Sequence, residues 1–405
     1  MTTIAVLGTL DTKGNEHAYL AERIRERGHT PLLIDVGTGG EPTIQPQIGR
    51  DEVARAGGIN LSQLLSRQDR GECVAAMSQA APALLAHLQQ EGKIQGVISL
   101  GGGGGTAIAS AAMRALPIGF PKLIVSTLAS GQTSGYLGTK DIVMMPAIVD
   151  IAGLNRISKT IFTQAAGAIC GMVEMKISHE GDRPLIVASM FGNTTKCVLA
   201  AQKILEDAGY EVVVFAATGI GGKTMEALID SGMVAGVLDL TTTELADELV
   251  GGVLTAGPDR MNAVARAKIP AVVAPGCLDM VNFGAPETIP SQFQGRTFYY
   301  HNAQVTLMRT TPEECHLLGT EFAQKVNAYQ APVTVLIPSQ AISVISAEGQ
   351  AFRDTTSDGS LFGAILSTLG DAIPVVIYDG EINDEKFARA CASALLENIS
   401  QYQSR

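Results

Sequence analysis

The chain has 405 residues, a formal net charge of −11, 46% apolar residues and 17% charged residues. That length carries two domains with sizeable cores, and the composition argues against a disordered chain. The acidic balance without a basic stripe argues against nucleic acid as a direct partner, and no long uncharged apolar run suggests a membrane span.

Forty-four glycines stand beside short Val, Ile and Leu runs, the pattern of an α/β protein with many tight strand-to-helix turns. The cysteines at 73, 170, 197, 277, 315 and 391 form no Cys-x-x-Cys pair, against a zinc knuckle or redox motif. They fit a reducing compartment. The first residues run straight into a strand-like segment without a signal-peptide pattern, so a cytoplasmic location is expected.

Residues 4–7 read as a buried strand, 8–14 as a polar turn, and 16–27 as a helix stopped at Gly28. A strand at 31–36 precedes the Gly- and Pro-rich stretch 37–60, read as a functional loop or lid. A helix at 71–90 leads to a strand at 95–100. Five glycines follow, Gly101, Gly102, Gly103, Gly104 and Gly105, then Thr106 and an alanine-rich helix. Strands at 122–126 and 142–145 enclose the polar loop 127–135. A long helix is expected over 151–175, broken near Gly167 and Gly171.

The polar stretch 180–184 marks a boundary between a nucleotide-binding domain, 1–180, and a second domain, 181–405. There the cycle restarts: strand 185–189, helix 196–208 stopped at Gly209, strand 211–215, helix 223–230, strand 234–240. The strands at 4, 96 and 121 are echoed at 185, 236 and 270. The predicted fold is α/β, two Rossmann-like doubly wound domains in tandem with an interdomain cleft.

The five glycines lie at a strand end before a helix, where bare backbone N–H groups and the helix dipole favour an anion. No Gly-Lys-Ser/Thr follows, so this is not a Walker A loop, and it lacks the dinucleotide fingerprint's acidic residue. The plainer reading is close helix–strand packing. Thr9, Asp11, Thr12 and Lys13 offer hydroxyls, a carboxylate and an ammonium for phosphate oxygens, with Asp11 as a magnesium ligand. Asp11 or Thr12 would equally serve as a helix cap. The loop holding Ser130 and Gly131 is uncharged and rich in hydroxyls, suited to donating hydrogen bonds.

In the second half Thr241-x-x-Glu244 reads as a capping box. Alternatively Glu244, Asp247 and Glu248, on one helix face, form a carboxylate cluster, with Arg260 as an anion ligand. Cys277, Asp279 and Asn282 follow a strand. Cys277 with His301 would be a nucleophile–base pair only if a field activates the thiol; otherwise Cys277 is a small core residue. His301, Asn302 and Arg309 read as a polar site, and Thr311-Pro312 as a helix start.

Residues 8–16, 101–106, 125–131, 190–195, 239–257, 275–284 and 301–311 together resemble the tobamovirus-resistance-type ATP-binding family, an uncharacterised protein family. The resemblance runs from residue 4 to about 360, and the chain, ending at Arg405, resembles a stand-alone member. It implies two Rossmann-like halves and ATP binding, mapped to Thr9, Asp11, Thr12, Lys13, the glycine run with Thr106, and Ser130-Gly131. The expected function is ATP-dependent chemistry on a small polar metabolite in the interdomain cleft, with Glu244, Asp247, Asp279, His301 and Arg309 as the catalytic set and ATP, with magnesium, as cofactor. A homo-oligomer is expected. The alternatives are a non-catalytic ATP-regulated interaction module, and a nucleotide-independent hydrolase or lyase using Cys277 and His301.

Overall fold

The computed structural model describes residues 2–176, 178 and 180–404. It divides into two compact units, Met1–Ser178 and His179–Arg405.

The first unit runs β1 (Thr3–Gly8), α1 (Leu10–Glu26), β2 (Thr30–Asp35), α2 (Arg50–Ala56), α3 (Leu61–Ser66), α4 (Arg70–Gln90), β3 (Gly96–Gly101), α5 (Gly103–Arg114), β4 (Lys122–Ser126), α6 (Ser134–Leu137), β5 (Val143–Pro146) and α7 (Arg156–Glu174). The strands form a parallel sheet in the order β2-β1-β3-β4-β5. Successive side chains of β1 point to opposite faces. Ile4 and Val6 join the core under α1 and α7, whereas Ala5 and Leu7 join the core under α4 and α5. Covering both faces makes these strands near-continuous apolar runs.

The second unit runs β6 (Leu185–Met190), α8 (Thr195–Asp207), β7 (Glu211–Ala216), α9 (Ile220–Ile229), β8 (Val234–Thr241), α10 (Glu244–Val250), α11 (Ala263–Ala267), β9 (Ala271–Gly276), β10 (Met280–Phe283), β11 (Phe298–Asn302), β12 (Val305–Arg309), α12 (Pro312–Asn327), β13 (Val333–Pro338), α13 (Thr355–Thr368), β14 (Val375–Tyr378) and α14 (Glu385–Gln403). Its six-stranded sheet is parallel, in the order β14-β13-β9-β8-β6-β7. Numbered by appearance within each sheet, the first follows 2-1-3-4-5 and the second 2-1-3-4-5-6, and β1, β3 and β4 occupy the places of β6, β8 and β9. The echoing strand segments are thus topological equivalents. Two cores again flank the sheet.

Several local expectations change. Helix α1 starts at Leu10 and breaks within itself at Lys13 (φ −132°, ψ 28°). Stretch 37–60 contains α2, whose Val53 and Ala54 are buried under α4. Helix α7 is one helix from Arg156, fixed by an Asn155–Ser158 capping box, and Gly167 and Gly171 do not break it. Thr241-x-x-Glu244 is not a capping box: Thr243 is the N-cap and makes no side-chain bond to the helix. Segment 280–309 builds a three-stranded antiparallel sheet, β10-β12-β11, where the sequence reading placed no strand. The capping box at Thr311 with Glu314, and Pro312 in the first turn, do form.

Candidate functional site

Ligands of open parallel sheets sit beyond the carboxyl ends of the strands, where the strand order reverses. In the first unit that point lies between β1 and β3. A cavity of about 830 Å3 opens there. Its walls are Thr9, Asp11, Thr12 and Lys13 after β1; Thr38, Gly39, Gly40 and Glu41 after β2; and Gly102, Gly103, Gly104 and Gly105 at the start of α5. Arg50, Leu65, Gln68, Asp69, Arg70, Cys73, Val74, Ile108 and Asp150 also line it. The two loops that the sequence singled out on separate grounds therefore share one cavity. Gly101, Thr106, Ser130 and Gly131 are not among the lining residues.

The five glycines have different reasons to be glycine. A Cβ on Gly101 would stand 2.5 Å from the Thr106 nitrogen, so the turn forbids it. Thr106 is fully buried, and its hydroxyl reaches Gly101 O at 3.2 Å and Ser126 Oγ at 2.7 Å. These two residues build the turn. A Cβ on Gly104 would meet Val74 Cγ2 at 3.2 Å, which is packing against α4. A Cβ on Gly103 would meet nothing within 4 Å, and Gly103 has no positive φ. Glycine is less favourable than alanine by about 1 kcal/mol in a helix interior and by less at the first helical position, where Gly103 stands, and nothing within the protein requires it there. The N-cap Gly102 supplies no side chain to the first turn of α5, which also lacks an acidic residue. By helix geometry the first N–H groups have no intrahelical partner.

Three cations, Lys13, Arg50 and Arg70, and four acids, Asp11, Glu41, Asp69 and Asp150, line the cavity with this bare helix start. Lys13 Nζ donates to Ile151 O, and Arg50 donates to Gly40 O and, at 2.6 Å, to Glu41. Arg70 lines the cavity and makes no side-chain hydrogen bond or ion pair among the described residues. Asp11 is committed to backbone amides: Oδ1 accepts from Thr12 N at 2.8 Å, and Oδ2 from Gly39 N at 2.7 Å and Gly40 N at 3.2 Å. It pins the β2 loop rather than capping α1. Among the described residues no three His, Cys, Asp or Glu side chains converge on a possible metal position. A magnesium ion on Asp11 would share that carboxylate with the three backbone amides it already accepts from. Arg50 and Arg70 carry no motif, and only the folded chain brings them to the glycines.

The second unit's expected catalytic residues are held in its interior instead. Arg260, fully buried, bonds Asp239 through both terminal nitrogens (2.6 and 2.7 Å), Glu244 at 2.7 Å and Glu226 at 3.3 Å. It is saturated by carboxylates and is not an anion site. Glu244 also accepts from Gly219 N at 2.7 Å and Gly222 N at 3.0 Å, so its own carboxylate covers the N-terminus of α9. Asp247 is buried and takes Asn282 N at 3.0 Å and Asn282 Nδ2 at 2.6 Å; burial pushes its carboxyl up to about 7. Glu248 alone of that helix face is exposed.

Asp279 is fully buried, raised by desolvation, and accepts from Ser343 Oγ at 2.6 Å. Arg309 bonds Phe352 O at 2.9 Å and Asp358 at 2.5 Å, fastening the segment before α13 and the first turn of that helix. His301 is exposed on β11. Cys277 is enclosed by Met280, Leu307, Ile345 and Phe352, and burial pushes its thiol well up. A cysteine nucleophile needs the opposite, an activating field. Asp279 and Arg309 lie together, Arg309 Nη1 donating to Asp279 O at 3.5 Å, and Glu244 acts electrostatically on Asp247, whereas His301 stands exposed on β11.

The fold and cavity define a protein of two parallel α/β units with a ligand-sized cavity at the switch point of the first. The chain belongs to the Uncharacterised protein family (UPF0261): residues 2–178 match its N-terminal domain and 183–399 its C-terminal domain. A UPF0261 protein of Clostridium tetani is 49% identical over 400 residues, covering 98% of this chain and 99% of that one. The tomato (Solanum lycopersicum) ToMV resistance protein Tm-1(GCR237) is 38% identical over 414 residues; the match covers 96% of this chain but 55% of the tomato protein. Among solved structures, Est1E from Butyrivibrio proteoclasticus is 13% identical over 54% of this chain and 90% of that one, with a TM-score of 0.31, too low to carry any argument. No described helix is long and apolar enough to cross a membrane.

Proposed function

We propose that the first unit binds a nucleotide, ATP in the first instance, with its phosphates at the start of α5 between Lys13, Arg50 and Arg70. One observation carries this reading: Gly103 is bare where nothing in the protein needs it bare, at an uncapped helix N-terminus opening into a cavity that Lys13, Arg50 and Arg70 line together with the acids Asp11, Glu41, Asp69 and Asp150. A ligand bringing negative charge to that surface gives the glycine its reason. Leu65, Val74 and Ile108 supply an apolar wall suited to a flat base. A cavity of this size lies in the range of small-molecule sites. Bound nucleotide supplies a reactive phosphate chain; the chain's own groups hold and neutralise it.

The burial of Glu244, Asp247, Asp279 and Arg309 favours a nucleotide-regulated binding protein over ATP-dependent chemistry by those residues. Titration calorimetry with ATP on the wild-type chain and on Gly103→Val tests the site. Loss of binding in the variant, with an unchanged melting temperature without ligand, is the expected result. Equal affinity in both proteins would overturn the assignment. Product analysis with ATP and candidate metabolites separates the two modes: turnover would reinstate an enzyme.

A further inference from the structure

We infer that His17 is the positioning residue of the glycine-loop cavity, holding the roots of its two ligand loops in one buried ring; this rests on the nucleotide reading above. His17 lies fully buried beneath the end of β1. Leu100, the residue before the glycine run, donates its N–H to His17 Nε2 at 3.4 Å. The Lys13 carbonyl at 2.7 Å from Nδ1 accepts only a proton, so in the neutral ring the proton sits on Nδ1 and Nε2 is left as the acceptor, with the Leu7 carbonyl also beside the ring. Burial lowers the imidazole pKa, which keeps this neutral form.

Lys13 is also where α1 leaves helical geometry, and its side chain lines the cavity. The ring thus grips the carbonyl of the kinked residue with its shorter bond, and the start of the glycine loop with its longer one. Gly8, at the end of β1, has no room for a side chain because the imidazole fills that space. The kink that presents Lys13 to the cavity depends on a ring that never touches the ligand.

Asparagine and glutamine separate the two arms. His17→Asn puts an amide N–H where Nδ1 stands and keeps the Lys13 bond; His17→Gln puts a carbonyl where Nε2 stands and keeps only the Leu100 bond. Both are expected to melt lower than wild type. His17→Gln is expected to weaken ATP binding about tenfold, the scale of one net hydrogen bond, with His17→Asn remaining within about threefold. In a Lys13→Ala background the His17→Gln loss should vanish, because the effect passes through Lys13.

A ligand-free readout accompanies these: the acylation rate of Lys13, followed by mass spectrometry against exposed Lys93. His17→Gln should change it several-fold and His17→Asn should not. Equal ATP losses in both variants, a loss that persists without Lys13, or unaltered Lys13 acylation would each overturn the role of His17. No ATP binding by the wild-type chain, with Lys13 acylation still separating the variants, would overturn the nucleotide reading while leaving His17 as the residue that positions Lys13.

Discussion

The carboxylate of Glu244 stands in the space a side chain on Gly222 would need: Oε2 lies 2.1 Å from the position of that Cβ. The second unit therefore satisfies the start of α9 with an acid of its own, whereas the start of α5 in the first unit has none. Gly222→Ala should expel the carboxylate and leave Arg260 Nε without its partner. Breaking a buried pair costs about 3–5 kcal/mol. A large fall in the urea unfolding midpoint of the second unit is expected; an unchanged midpoint would show that the carboxylate has another place to go.

Arg260 holds three acids around one guanidinium, and Arg260→Met would leave Asp239, Glu244 and Glu226 buried together. Destabilisation by about 3–5 kcal/mol is expected. Lysine should not restore stability, because a compact ammonium cannot reproduce the planar fork on Asp239 and the third bond to Glu244. Denaturant titration of both variants decides this; recovery in Arg260→Lys would mean that charge alone is required.

Asp247 predicts a pH dependence. Its carboxyl is raised from 3.8 to about 7, chiefly by burial. Between those values the folded state binds the proton that the unfolded state has lost. Stability of the second unit should thus fall as pH rises from about 4 to 7, with a slope of at most about 1.4 kcal/mol per pH unit from this group. Asp247→Asn should flatten the slope. Asn282 can then turn its amide and offer Oδ1, a buried atom now without a partner, to the new N–H. An identical slope in the variant would assign the effect to other groups.

Gly103→Ala should leave the fold intact and raise helix stability by up to about 1 kcal/mol, since its Cβ meets open space. The same change should weaken ATP. A rise in ligand-free melting temperature with a fall in affinity is the expected pair of signs. A rise in both would mean that the ligand does not approach Gly103.

All six cysteines are free and buried. Cys73 lines the cavity, and iodoacetamide should label Cys277 no faster than it or the other buried thiols in the folded protein. Fast single-site labelling at Cys277 would revive the nucleophile reading that its apolar surroundings disfavour.

The parts of the fold visible in the sequence were those governed by neighbours along the chain. Gly28 and Gly209 take positive φ at helix ends, as their positions after helical runs predicted. The antiparallel sheet of β10, β11 and β12 was invisible because buried polar residues, Asn282, Thr306 and Arg309, interrupt its short apolar runs and β11 is mostly exposed. Polar residues in a strand read as a loop until their partners are known. The kink at Lys13 was likewise unreadable, since its carbonyl is taken by a ring four residues on.

The sequence by itself determined the alternation of strand and helix, the two repeated sheets and the bare loop at the end of β3. Hydrophobic periodicity and glycine act locally, within a turn or a strand. Only the tertiary structure decided which polar groups are free. Arg309 meets Asp358 across 49 residues and Arg260 meets Glu226 across 34, whereas Arg70 meets no side-chain partner among the described residues and lines the cavity that the glycines also line. Whether a charge is available to a ligand depends on burial and on partners brought from afar, and no spacing along the chain specifies either.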